Sequence, residues 1–136
     1  MRVLVTGHMG YIGTVLVPML LEHDHEVFGI DADWFEQCTF AGTITEVESI
    51  RKDIRDIQKS DVLGFDAIIH LAGLSNDPMG DYRPMITEEI NEFASIDLAK
   101  IAKEAGVKRF LFASSCSNYG AGGQDFLTEE AAFNPV

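Results

Sequence analysis

Residues 5–13 read VTGHMGYIG, with glycines at 7, 10 and 13 between an apolar run and a helical pattern. The run before them, Val3-Leu4-Val5, has the short, continuous apolar character of a strand buried on both faces. After them Ile12, Val15, Leu16, Met19 and Leu20 recur at i, i+3, i+4, i+7 and i+8, the spacing of an amphipathic helix. Pro18 removes one helical hydrogen bond and is expected to bend that turn. In a strand–turn–helix unit each glycine meets a physical need. Gly7 permits the tight turn, Gly10 lets the backbone approach a pyrophosphate, and Gly13 allows close packing of helix on strand. Free amides at the helix start, aided by its dipole, would then face the anion.

The next strand pattern, EVFGID at 26–31, ends in an acid 18 positions after Gly13. A carboxylate at that place accepts hydrogen bonds from the adenosine ribose hydroxyls and repels a 2′-phosphate, which favours NAD over NADP. The competing P-loop needs Gly-Lys-Ser/Thr at the helix start. Here Ile12-Gly13-Thr14 offers no lysine, and that reading is rejected.

Outward from this unit, strands and helices alternate. VESIRKDI (47–54) is a weaker third strand, DIQKSDVL (56–63) a short helix, and FDAIIHLAG (65–73) a fourth strand closing on glycine. Ile86, Ile90, Ala94, Leu98, Ile101 and Ala105 mark one face of a long helix stopped by Gly106. VKRFLFAS (107–114) is the fifth strand, and residues 32–45 read as a loop. Apolar strands separated by helices give an α/β fold with a doubly wound parallel sheet, Rossmann-type, whose ligand lies beyond the carboxyl ends of the strands. The loops after residues 6, 31, 53, 71 and 114 are expected to converge there.

The chain has 136 residues, 46% of them hydrophobic, and a formal charge of −12. That is one domain with ample core, and its charge repels nucleic acid. Cys38 and Cys116 form no metal-type pair and read as reduced thiols, Cys116 as inert packing at a strand end. The start MRVLVTG is too short for a signal-peptide core, and no apolar run approaches membrane-spanning length. A cytoplasmic location is expected.

Thr6-Gly7-x-x-Gly10-x-x-Gly13, Asp53-Ile54, HLAG at 70–73, Asn91 and SSCSNYG at 114–120 together resemble the extended short-chain dehydrogenase/reductases. The resemblance covers essentially the whole chain, and its nearest branch is the NAD-dependent nucleotide-sugar epimerase/dehydratases. It implies that Gly7, Gly10 and Gly13, with Tyr11 and Ile12 between them, line the pyrophosphate, and that Asp31 holds the adenosine ribose. Asp53 and Ile54 would contact the adenine, Asp53 through its exocyclic amine. Leu71, Ala72 and Gly73 would run along the cofactor with Ser114 beside it, and Asn91 would brace the sheet or a bound water. Ser115, four residues before Tyr119-Gly120, takes the place of the catalytic Ser/Thr. It would orient a substrate hydroxyl rather than act as a nucleophile, since no histidine is placed to deprotonate it.

The base implied by the resemblance is a tyrosine in Tyr-x-x-x-Lys, acting in hydride transfer between a sugar carbon and NAD. None occurs here: Tyr11, Tyr82 and Tyr119 are followed four positions on by Val15, Ile86 and Gly123. The tail EEAAFNPV looks like the segment that precedes this tyrosine. The chain is therefore expected to be an N-terminal cofactor half, truncated before the last strands and the sugar-binding part, that binds NAD without appreciable turnover. Its substrate would be a nucleotide-sugar, and homodimers through the sheet edge or the long helix are expected. Dehydratase relatives carry Asp-Glu after the Ser/Thr, where this chain has Cys116-Ser117, which favours an epimerase. A non-catalytic NAD-sensing module and a keto-reductase of the same superfamily are the alternatives. Of the remaining residues, His8 is expected to face solvent rather than touch a phosphate from the glycine loop, His23 and His25 to be solvated, and His70 to be a hydrogen-bonded residue at the core's edge. Trp34 and Phe35 would lie against the adenine or only cover their loop. SNDP (75–78) is placed near the nicotinamide or substrate.

Overall fold

The structure, a computed structural model, describes residues 1–35, 38, 43–75, 77–120 and 126–135, the side chains of 77, 79 and 81 excepted. Parts of the 32–45 loop and of SNDP fall outside them. Five strands form one parallel sheet: β1 (Arg2–Thr6), β2 (Glu26–Asp31), β3 (Glu48–Arg51), β4 (Ala67–His70) and β5 (Arg109–Phe112). Their spatial order is β3-β2-β1-β4-β5. The chain therefore lays β2 and β3 on one side of β1, then crosses to lay β4 and β5 on the other. A crevice opens at such a reversal, beyond the ends of β1 and β4.

Successive strand residues face opposite layers, and each layer has its own core. Leu4, Ile30 and Ile68 pack with Ile54, Ile57 and Val62 and with the long helical arm at Ile90, Ala94, Leu98 and Ala102. Val3, Val5, Val27 and Ala67 pack on the other face around Val17. The helices are α1 (Gly13–Glu22), α2 (Lys59–Val62), α3 (Asp77–Tyr82), α4 (Pro84–Glu88) and α5 (Ala94–Glu104). Among the described residues, no helix is long and apolar enough to cross a membrane.

The helices differ from their sequence reading: α2 keeps only Lys59–Val62 of the expected 56–63, α3 forms outside any expected helix, and α1 and the long helix differ in detail. α1 continues through Pro18, and its buried residues are Gly13 and Val17, with Leu16 and Leu20 partly covered. Ile12, Val15 and Met19, expected on the packed stripe, are exposed. The covered stripe runs from Gly13 through Val17 to Leu20, by steps of four and three. The long helix keeps its expected face, but a π turn at Glu89–Phe93 interrupts it between α4 and α5. Ile86, Ile90, Ala94 and Leu98 recur at strict intervals of four, which overshoots 3.6 residues per turn. A wider turn brings that row back over the sheet. Gly106 ends the helix at φ +80°, as its stop position requires.

Candidate cofactor site

The glycine loop sits at the mouth of the crevice. Gly7 has φ +74°, and a Cβ there would stand 2.7 Å from the Ala72 nitrogen. Its amide donates to the Ile30 carbonyl at 2.8 Å. The bare α-carbon thus serves the turn and also admits the chain leaving β4. At Gly13 a Cβ would fall 2.4 Å from the His8 carbonyl oxygen and 2.5 Å from that of Gly7. The crowding comes from the loop's own carbonyls rather than from a strand. Gly10 is different: among the described residues a Cβ there would meet only the Gly7 oxygen, at 3.2 Å. The protein needs little room at this point, so the absent side chain leaves a cradle a Cβ would fill. No side chain caps the first turn of α1, and that turn holds no acid. The Thr14 and Val15 amides already donate to the Gly10 and Ile12 carbonyls, at 3.0 and 3.1 Å, and the Gly10 amide to that of Gly7 at 3.1 Å. This leaves the Tyr11, Ile12 and Gly13 amides, among the described residues, to meet an anion such as a pyrophosphate. Tyr11 and Ile12 stand exposed on the rim.

Asp31, at the end of β2, is fastened to this loop. One carboxylate oxygen accepts from the Met9 amide at 2.9 Å and the other from the Asp33 amide at 3.0 Å. Each oxygen keeps a free lone pair for a ribose hydroxyl. Asp53 caps the 3₁₀ turn Ile54–Asp56. Its carboxylate takes both Nε and Nη2 of Arg55, at 3.0 and 2.8 Å, and Arg55 also reaches Glu89 at 3.2 Å. The hydrogen bonds from the Arg55 guanidinium hold the Asp53 carboxyl below its ordinary range. Ile54 is buried beneath it.

Beyond β4, Leu71 donates to the Thr6 carbonyl at 3.0 Å, which sets Leu71, Ala72 and Gly73 against the end of β1. Asn91, in the π turn, accepts from the Leu74 amide and donates to the Leu74 carbonyl, both at 2.8 Å. It braces this loop with both ends of its amide. Ser114 and Ser115 follow β5 and are exposed. The Ser115 hydroxyl caps the 3₁₀ turn Cys116–Tyr119 by accepting from the Ser117 amide at 3.2 Å, and it also bonds the Ser117 hydroxyl. Asn118 donates to the Ser114 hydroxyl at 3.2 Å. The register, Thr6 beside Ile30 and His70 and the latter beside Phe112, brings the glycine loop, Asp31, 71–73 and 114–115 to one sheet edge.

Several expectations are corrected. His8 does not face solvent. It is 6% exposed, and its ring lies where a Gly29 side chain would be, 2.5 Å from a Cβ built there. Gly29 opens a slot in β2 that the ring fills. Gly29→Ala is expected to lower stability by about 2 kcal/mol through overpacking, and adding His8→Ala to restore much of it, both read from urea unfolding. His25 is half buried rather than solvated, while His23 is exposed and donates from Nδ1 to the Met19 carbonyl at 2.8 Å. Cys116 is exposed, not packed. Trp34 is about half exposed and lines a cavity of about 480 Å³ with Leu74, Pro78, Tyr82, Arg83 and Ile86. The sequence reading missed Arg55 as the partner of Asp53, though the two-residue spacing of acid and base was visible. It also missed Thr6 and Ser95 as the partners of His70, which no local spacing reveals.

Strand order, glycine turn and acid-ended second strand define a Rossmann-type nucleotide-binding fold. The chain belongs to the NAD dependent epimerase/dehydratase family, whose model matches residues 3–136. It is 33% identical over 129 residues to a UDP-glucose 4-epimerase of Klebsiella pneumoniae, covering 88% of this chain and 93% of that sequence. A UDP-glucose 4-epimerase of Lactobacillus helveticus is 28% identical over 144 residues, covering all of this chain and 42% of the relative. Among solved structures, UDP-glucose-4-epimerase from Stenotrophomonas maltophila with bound NAD and formylated UDP-arabinopyranose superposes with TM-score 0.86 at 27% identity, covering 98% of this chain and 43% of that one. The chain thus spans under half the length of two of these three proteins.

Proposed function

We propose that this chain holds NAD as the cofactor portion of an epimerase that acts on a nucleotide-sugar. The amides around Gly10 and Gly13, with Tyr11 and Ile12, would hold the pyrophosphate, and Asp31 the adenosine ribose. Asp53 and Ile54 would receive the adenine, Asp53 remaining a charged acceptor because Arg55 keeps it ionised. Leu71, Ala72 and Gly73 would line the rest of the cofactor, braced by Asn91, with Ser114 beside them. When bound, NAD supplies the hydride acceptor. Ser115 would donate or accept a hydrogen bond at the substrate hydroxyl, exchanging its present bond to Ser117 for one to the sugar. The single observation that carries this reading is the Gly10 cradle, open where Gly7 and Gly13 are crowded.

No Tyr-x-x-x-Lys stands in these residues, so the base that such a motif supplies would not come from them. Loss of such a base costs at least ~10²-fold, and this chain alone is expected to bind NAD without measurable turnover. Self-association fits the half-exposed Leu111 and Phe112 on β5.

Calorimetric titration with NAD and NADP tests the assignment. NAD is expected to bind the tighter of the two, and Asp31→Ala to weaken NAD by at least ~10-fold while narrowing the gap, since a ribose acceptor and a 2′-phosphate repellent are lost together. Equal affinity for both dinucleotides in the unaltered chain defeats it.

A further inference from the structure

His70 ends β4 and is 1% exposed, yet the proposed chemistry gives it no task. Its Nδ1 lies 2.6 Å from the Thr6 hydroxyl and its Nε2 lies 2.8 Å from the Ser95 hydroxyl. The direction of each bond follows from its neighbours. Ser95 spends its one hydrogen on the Asn91 carbonyl at 2.8 Å, because a carbonyl can only accept. The Ser95 oxygen must then accept, so His70 carries its proton on Nε2. A neutral ring protonated there accepts at Nδ1, so Thr6 donates to it. The Thr6 oxygen is left to accept the Ala72 amide, at 3.4 Å.

The result is a one-way relay from Ala72 through Thr6, His70 and Ser95 to the Asn91 carbonyl. Asn91 in turn grips both polar groups of Leu74. The relay therefore begins on the loop after β4, crosses β1 and the start of α5, and ends at the π turn, whose Asn91 side chain reaches back to that same loop. Only imidazole offers a donor and an acceptor on opposite sides of one rigid ring.

We propose that His70 is a positioning residue for the cofactor edge: held as the Nε2–H tautomer, it fixes the Thr6 hydroxyl under Ala72 and the Asn91 brace under Leu74. The inference rests on the reading that the dinucleotide runs along residues 71–73. Losing the relay loosens that backbone without removing any group that would touch the ligand.

Two measurements test it. The first needs no dinucleotide: ¹⁵N shifts of the His70 ring in the folded chain should report the neutral Nε2–H form across about pH 5 to 8. A neutral Nδ1–H form, or a mixture of tautomers, overturns the relay. The second compares NAD affinity in Thr6→Ser, Thr6→Val and Ser95→Ala. Thr6→Ser keeps the hydroxyl and should bind within ~3-fold of the parent, whereas Thr6→Val should lose at least ~10-fold, as expected for a buried pairing broken on one side. Ser95→Ala, remote from the loop and milder to the fold, should weaken NAD several-fold if Thr6→Val does not fold. Parent affinity in Thr6→Val, or in Ser95→Ala should Thr6→Val not fold, overturns the positioning role. A parent chain that binds no dinucleotide defeats the functional reading and the cofactor half of this inference together, and the ring's tautomer tells that failure from a failure of the relay.

Discussion

Alanine at position 13 is expected to abolish measurable NAD binding, by at least ~100-fold, and to lower stability by about 3 kcal/mol. The new Cβ would stand 2.4 and 2.5 Å from two carbonyl oxygens. Neither belongs to a flexible side chain that could swing away. Relief requires α1 to back off from its loop, and with it the uncapped amides that would meet the anion. Gly10→Ala is the informative contrast. Its Cβ has one neighbour, at 3.2 Å, among the described residues, so the fold should tolerate it while the ligand should not. Urea unfolding and calorimetry on both variants separate the two effects. A Gly13→Ala chain as stable as its parent would mean that the loop carbonyls are less crowded than described.

Acid is expected to destabilise the fold through His70, by about 3 kcal/mol between pH 6.5 and 4. Burial lowers its pKa from 6.5 to about 4. Its contacts are the hydroxyls of Thr6 and Ser95 and the rings of Phe110 and Phe112, which offer a cation no compensating charge. The unfolded chain takes up its proton near 6.5, the folded chain only near 4. In that window the unfolded state binds more protons, so stability rises with pH. The contribution is complete above 6.5 and gone once pH has fallen through 4. Carboxylates also titrate near the lower end, so the measured quantity is the difference between the parent and His70→Asn in urea midpoints from pH 7 to 4.5. The variant should start weaker and fall less. Parallel lines would show that His70 is not the titrating group.

Much of the architecture was legible because it rests on local rules. Three glycines between an apolar triplet and a helix announce the first unit, and the apolar runs ending at His70 and Phe112 announce its neighbours. What stayed hidden depends on residues far apart in the chain. His8 looks like an exposed loop residue until Gly29, 21 positions later, proves to leave it a slot. α1 is apolar nearly all round, so periodicity alone could not choose between the Val15–Met19 face and the Val17 face. The π turn follows from a row of four-residue steps that periodicity alone does not distinguish from an ordinary helix. Of the site, the glycines and Asp31 were readable as types at a spacing. The pairing of Asp53 with Arg55 and the grip of Asn91 on Leu74 needed the fold.

The contact between Gly7 and Ala72 joins two stretches of chain that β2 and β3 hold apart in sequence. Each contributes one bank of the crevice, and close backbone and the Thr6 hydroxyl join them. A guest lying there would act as a rivet, so occupancy and cohesion of the two halves become a single equilibrium, and every bound molecule withdraws a chain from the unfolding population.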